Sequence, residues 1–416
     1  MKKKNPYLFA FILITSLFFL WGFAHNLDPI LIPHLKKSFT LSTTQATLVD
    51  SSVFIAYFLM ALPAGFIMKK FGYKIGIITG LLLFAIGSFL FVPAANNQSY
   101  EFFLVALFII ACGLTILETA ANPYAASLGD PSTSTQRLNL AQSFNGLAAA
   151  LAPVVGARII LTKGYTDAEL STMTEAAKKI ALASEASTVK MPYIILGSVL
   201  VFIAIVFALT KLPKIQAEEG QEASKSIFHA LKNKHLSWAV AAQFFYVGAQ
   251  VSVFSLFILY ATKSAGLTEV KAADFLAACG IAFLIGRFLG TILMKFIAPN
   301  KLLAIYAAIN ILLSIVAVTA TGMITVYTVI GICFFMSIMF PTIFALGIKD
   351  LKGDTEFGSS LIIMSIVGGA ILPPIFGKIS DVTGNIQMGY LVPLICFIVI
   401  FFFGWKGYKV TSTKQS

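Results

Sequence analysis

Twelve stretches of about twenty mostly apolar residues follow one another along this chain, and their recurrence limits its possible folds more than any other feature. They run approximately over 7–35, 43–68, 75–93, 101–128, 136–162, 191–210, 237–262, 270–294, 302–320, 324–348, 357–380 and 386–405. A hydrocarbon layer about 30 Å thick is crossed by roughly 20 helical residues. Each stretch is continuous rather than alternating, which excludes an outer-membrane barrel. Composition bears out the choice of solvent. Of the 416 residues, 58% are hydrophobic and 12% charged, whereas a soluble domain carries about 25% charged residues. The first stretch follows Lys2-Lys3-Lys4 but is far longer than a signal-peptide core of about 7–15 residues, so it reads as an uncleaved first helix.

The net charge of +12 is not a nucleic-acid footprint, because the Lys and Arg residues sit in short clusters between apolar runs. With the N-terminus in the cytoplasm, most of them fall on the inner side: Lys2 to Lys4, Lys69, Lys70, Lys74, Arg137, the 211–236 segment and the C-terminal lysines. That bias predicts an even number of spans with both ends cytoplasmic. The polar 211–236 connection divides the chain into a six-helix bundle over 1–210 and another over 237–416. A second polar connection, 163–190, is expected outside, with a short amphipathic helix. Cys112, Cys279, Cys333 and Cys396 each stand alone in apolar sequence and read as packing residues. No cofactor, metal or enzymatic motif is expected.

The halves repeat. Gly65 and Lys70 have the spacing of Gly290 and Lys295. Pro123-Tyr-Ala-Ala-Ser-Leu128-Gly129 in the fourth run matches Pro341-Thr-Ile-Phe-Ala-Leu346-Gly347 in the tenth, and Pro153-Val-Val-Gly156 in the fifth matches Pro374-Ile-Phe-Gly377 in the eleventh. Two six-helix halves related along the membrane normal describe the major facilitator architecture, in which substrate binds between the halves near the midplane. The predicted fold class is therefore an all-α membrane protein of two pseudo-symmetric bundles, working as a secondary transporter.

A charge at mid-bilayer costs about 2.5–3.5 kcal/mol even on the lenient insertion scale, so charged residues in the runs mark function or deliberate pairing. Glu118, in Leu117-Glu118-Thr119-Ala120-Ala121-Asn122-Pro123, aligns with apolar Met336 in the repeat. Its acid is thus particular to the N-half and is a candidate proton carrier and substrate contact; the bland alternative is a structural hydrogen bond. Asp28 lies between His25 and Pro29 in a helix weakened by Pro29 and Pro33, and is either a proton carrier or a solvated cap. Asp50 is a further candidate carrier or an interfacial residue. Arg287 is read as a gate residue held by a salt bridge or by carbonyls, with Lys69 and Lys70 as companion gating candidates at the inner end of the second helix.

Asn139, Gln142 and Asn145 recur every three residues and can share a helical face. Amides both donate and accept, which suits sugar hydroxyls. Gln142, Asn145 and Asn26, with Gln243, Tyr246 and Gln250 on the seventh helix, are the candidate substrate contacts; the alternative is ordinary polar helix packing.

Four segments carry a family resemblance: Asn26 to Leu41 (NLDPILIPHLKKSFTL), Pro63 to Gly80, Leu117 to Pro123 (LETAANP) and Arg137 to Asn145 (RLNLAQSFN). In the second of these, Lys69 stands where most major facilitators carry an acid. Together they resemble the bacterial fucose–galactose–glucose/proton symporters. The resemblance implies proton-driven uptake of a neutral monosaccharide across the inner membrane, with Glu118 matching the family's membrane glutamate and Gln142 and Asn145 its helix-five amides. In one member the first-helix acid stands directly before Ile-Leu. Here that position is Pro29 and the acid is Asp28, and one residue turns a helix by about 100°. Asp50 or Glu118 are the alternative carriers. L-fucose is the expected sugar, with glucose or galactose, or export of another small metabolite, as alternatives. The expected partners are the sugar, a proton and the lipid bilayer, with a monomer as the working unit.

Overall fold

The computed structural model describes residues 7–25, 39, 48–160, 172–213 and 230–410, and every regular element among them is helical. The membrane helices are α1 Leu8–His25, α2 Leu48–Phe71, α3 Tyr73–Asn96, α4 Tyr100–Ser127, α5 Ser134–Ile160, α6 Lys190–Leu209, α7 Lys234–Ser255 with its continuation Phe257–Ala265, α8 Glu269–Leu293, α9 Pro299–Thr319, α10 in two pieces (Met323–Met336 and Met339–Gly347), α11 in two pieces (Thr355–Met364 and Gly368–Thr383), and α12 Leu391–Phe402. Among the described residues, ten helices are long and apolar enough to cross a membrane; α1 is apolar but shorter, and α5 completes the twelve expected runs. Exposed side chains such as Leu209 and Phe296, each 81% accessible, need no cover where the solvent is hydrocarbon.

Local chemistry sets the helix ends. Gly72 has a φ of +81°, a conformation costly for a side-chain-bearing residue, and it separates α2 from α3. The Ser99 hydroxyl accepts from the Phe102 amide to start α4 (3.2 Å), and Thr268 does the same for α8 through Lys271. At the α4–α5 turn, Asp130 accepts from the Ser132 amide at 2.8 Å. Those hydrogen bonds from Ser132 hold its carboxyl below the usual carboxylate range. Arg137 donates to the Asp130 carbonyl, to Thr133 and to the Ala126 carbonyl, closing the end of α4. The 163–190 connection contains a helix, Glu175–Ser187, capped by Thr174. The third run, expected over about 75–93, extends as α3 to Asn96 with Pro93 inside the helix. Close to a helix end, few main-chain bonds remain for a proline to break.

The chain groups into two compact units. The first comprises Ser16–Ala121 and Leu147–Pro213. Within it α3 and α4 approach closely: a Cβ on Gly113 would meet the Phe84 amide nitrogen and the Gly80 carbonyl. Phe91 of α3 stacks on Tyr193 of α6 at 3.7 Å and meets Phe103 of α4 edge-on at 5.2 Å. Lys74 donates to the Ala208 and Thr210 carbonyls at the end of α6.

The second unit comprises Met1–Thr15, Asn122–Gly146 and Lys214–Ser416. Here α7 packs on α11 and α12, with Trp238 and Phe402 rings 4.6 Å apart. α8 lies against α10 so closely that a Cβ on Gly286 would strike the Phe334 carbonyl. Unlike α4, which continues through Pro123, α10 is interrupted at Ser337 and Ile338. Pro341 lacks the N–H that would bond the Ser337 carbonyl four residues back.

Candidate functional site

The polar groups fall into two sets, one in each unit. In the first unit Leu117 lies against Gly80 of α3. One residue further round the helix, by about 100°, Glu118 meets α2 instead. The Tyr57 hydroxyl donates to Glu118 Oε1 at 2.6 Å. Tyr57 is 4% exposed, whereas Glu118 is half-buried, so the phenol is fixed by packing and the carboxylate is the accessible partner. Tyr57 was not singled out from sequence, although its is the only side-chain hydroxyl between Ser52 and Lys69. Asp50 lies in the first turn of α2, with its side chain outside the description. Asn26 and Asp28 lie outside the described residues.

The second unit holds the helix-five amides. Asn139 Nδ2 donates to the Thr135 carbonyl (2.9 Å) and to the Thr342 hydroxyl on α10 (3.2 Å). Gln142 Nε2 donates to Asn122 Oδ1 of α4 at 3.1 Å. Asn145 is half-buried one turn further on. Asn122, Thr342 and Ser337 were not chosen from sequence as functional residues, because what recruits them is a neighbouring helix.

Arg287 on α8 is 4% exposed. Its Nε donates to the Ser337 carbonyl and its Nη1 to the Gln142 carbonyl, both at 2.8 Å. Its guanidinium carbon lies 4.5 Å from the Phe283 ring centre. The Ser337 carbonyl is the one that Pro341 leaves without its helical donor, so the proline break creates the acceptor that the guanidinium fills. A guanidinium cannot shed its charge in a protein, and main-chain carbonyls are the partners a membrane interior offers when no acid is near. At Gly146, a Cβ would sit 3.7 Å from Arg287 Nη1.

Two further groups on α7 share this unit. Gln243 is fully buried, and neither its Nε2 nor its Oε1 has a partner among the described residues. The Tyr246 hydroxyl is likewise buried; it lies within the electrostatic reach of Arg287 but makes no bond of hydrogen-bonding geometry among the described residues. Leaving such a group unsatisfied costs about 1–3 kcal/mol, so each of these polar atoms calls for a partner. Gln250 is half-buried. Lys70 is exposed, with its ammonium 5.3 Å from the Phe71 ring centre, and Lys69 is half-buried. The four cysteines are buried and free.

Comparison with known proteins places the chain. Residues 8–354 match the Major Facilitator Superfamily model. The chain is 44% identical over 409 residues to the L-fucose-proton symporter of Escherichia coli K12, covering 96% of this chain and 93% of that protein. It is 42% identical to a glucose/galactose transporter of Brucella abortus, over 98% and 96% of the two chains. Among solved structures, FucP in the outward conformation superposes with a TM-score of 0.91 at 43% identity, over 97% of this chain and 100% of that one. The chain therefore belongs to the major facilitator superfamily of transporters, in the family of the L-fucose–proton symporter and the glucose/galactose transporters.

Proposed function

We propose that the protein takes up a monosaccharide together with a proton by alternating access, with L-fucose as the first choice of sugar and glucose or galactose as the second. The observation that carries this reading is a half-buried carboxyl group, Glu118, within the apolar helix α4, where it accepts a hydrogen bond from the buried Tyr57 phenol. Such a group takes a proton when its surroundings become dry and yields it when they become wet. The relatives named above bear on the sugar: one is an L-fucose-proton symporter and one a glucose/galactose transporter, at nearly equal identity.

In this reading Glu118 carries the proton and contacts the sugar, with Asp28 and Asp50 as further carriers. Gln142, Asn145 and Asn26 from the N-half and Gln243, Tyr246 and Gln250 from α7 contact sugar hydroxyls. The amide of Gln243 and the hydroxyl of Tyr246, without partners among the described residues, supply donors and acceptors that a polyol can satisfy. The bundles 1–210 and 237–416 rock against one another. Arg287, bound to the Gln142 carbonyl, is a latch that must release when the protein changes state, with Lys69 and Lys70 acting at the end of α2. The protein works as a monomer in the bacterial inner membrane, with both termini in the cytoplasm.

The test is a pH electrode in a lightly buffered suspension of energy-depleted cells expressing the protein. Addition of the transported sugar alkalinises the medium, and a panel of monosaccharides identifies it. A Glu118→Gln variant is expected to lose sugar-driven alkalinisation while retaining exchange of labelled for unlabelled sugar. Full proton cotransport by that variant removes Glu118 from its role. Alkalinisation with no sugar of the panel overturns sugar–proton symport itself.

A further inference from the structure

We infer that Asn139 and Thr342 form a second latch of the transport cycle: the amide on α5 bonds the hydroxyl on α10 while the inner ends of these helices are together, and this bond must break before they part. The inference rests on the alternating-access reading and adds to the Arg287 contact a neutral pair at the α10 break.

The hydrogens settle which atom does what. The Thr342 hydroxyl donates its one hydrogen to the Ile338 carbonyl at 2.6 Å, so toward α5 it can only accept. Asn139 Nδ2 has two hydrogens. One goes to the Thr135 carbonyl of its own helix (2.9 Å) and the other crosses to Thr342 (3.2 Å). Both residues are fully buried. Asn139 Oδ1 has no partner among the described residues, a cost that water relieves once the helices part.

The bond lies where α5 meets the interrupted helix. Asn139, Gln142 and Gly146 share one face of α5. Asn139 bonds Thr342, the Gln142 carbonyl accepts from Arg287, and a Cβ on Gly146 would meet Leu284 of α8 at 3.3 Å. Arg287 also bonds the Ser337 carbonyl and Thr342 the Ile338 carbonyl, the two residues at which α10 is interrupted. The α10 break is thus tied to α5 by two routes, one charged and one neutral. Asn139 and Thr342 each lie about one and a half turns from Ser134 and Gly347, where their helices end. Those are the inner ends in the orientation proposed above.

Removing the hydroxyl gives the sign. Thr342→Val keeps the shape, but the second Nδ2 hydrogen of Asn139 then stays buried without an acceptor for as long as the helices are together. Parting exposes it to water. The cost falls on the inner-closed state alone, so the equilibrium moves toward the inward-open state, by about five- to 150-fold for a buried donor left unpaired. The outward-facing site is then populated less. Half-saturation by sugar rises on the outer face and falls on the inner face, and their ratio follows the equilibrium. Loss of a sugar contact or of the fold weakens both faces in the same direction.

The experiment uses the full chain in membrane vesicles of both orientations, without a proton gradient and with the sugar found by the electrode assay. Half-saturation of sugar exchange is measured from each face for the unchanged protein, Thr342→Val, Thr342→Ser, Asn139→Ala and the Thr342→Val/Asn139→Ala pair, with thermal melting as the control for folding. A raised outer-to-inner ratio in Thr342→Val and Asn139→Ala, no further rise in the pair, and an unchanged ratio in Thr342→Ser support the inference. If Thr342→Val melts normally and keeps the original ratio, or if both values rise together, the bond is ordinary packing. The inference is then overturned while sugar–proton symport stands. An equal shift in Thr342→Ser assigns the effect to the methyl group rather than the hydroxyl and also overturns it. If Thr342→Val does not fold, Asn139→Ala decides by the same criterion. If the unchanged protein exchanges no sugar from either face, the transport reading fails, and the inference fails with it.

Discussion

Arg287 concentrates the energetic problem of this molecule in a single side chain. It carries an unremovable charge at 4% exposure, and its hydrogen bonds go to the Ser337 and Gln142 carbonyls. A lysine is a point charge that cannot span two divergent carbonyls as a planar fork does. Arg287→Lys is therefore expected to lower the melting temperature of the detergent-solubilised protein, reflecting the loss of at least one charge-assisted bond worth about 1.5–3 kcal/mol. The four buried cysteines make the measurement direct, because a thiol-reactive dye reports their exposure on unfolding. An unchanged melting curve sinks the clamp as a stabilising contact. None of its acceptors was readable from sequence. Arg287 is visible as a charge in an apolar run, but whether an acid or a carbonyl answers it depends on which helix lies opposite. Likewise Glu118 stands out in its segment, whereas Tyr57 looks like one more aromatic residue until α2 is packed on α4.

At the scale of the helix, the same proline does different things in the two halves. Pro123 leaves α4 continuous, while its repeat counterpart Pro341 accompanies the break between Met336 and Met339. In α10 the freed Ser337 carbonyl has an external donor, Arg287, and the broken geometry persists because that donor compensates it. Pro341→Ala restores the missing N–H, so the Ser337 carbonyl gains a partner of its own. Arg287→Lys should then cost less in the Pro341→Ala background than alone. A double-mutant cycle on melting is expected to show a coupling of about 0.5–3 kcal/mol, and simple additivity would separate the break from the clamp. The α8–α10 contact offers a second check. A Cβ on Gly286 meets the Phe334 carbonyl and comes within 2.8 Å of the Ser337 hydroxyl oxygen. Main chain cannot move aside as a flexible side chain does, so Gly286→Ala is expected to destabilise by about 1–3 kcal/mol, read as earlier thiol exposure. Gly280, where a Cβ meets nothing within 4 Å, is the control: Gly280→Ala should leave melting essentially unchanged.

At the scale of the whole molecule, the Lys and Arg distribution makes an orientation prediction. Lys69, Lys70, Lys74 and the C-terminal Lys406 and Lys409 belong on the cytoplasmic side under the positive-inside rule. A reporter fused after Ser416 should be active only in the cytoplasmic compartment; activity on the outer side would reverse the whole topology. The all-helical class and the order of the apolar helices were legible in the sequence because each helix in lipid must satisfy its own main chain within one apolar run, a local property that a linear pattern records. The repeat offsets and the LETAANP and RLNLAQSFN segments were legible for the same reason, and they led to the family. What only the tertiary structure decided is which polar group meets which: Tyr57 with Glu118, Gln142 with Asn122, Arg287 with the carbonyl that Pro341 leaves open. Those pairings depend on the rotation and closeness of neighbouring helices, which small residues such as Gly80 and Gly286 set through contacts between residues far apart in the chain.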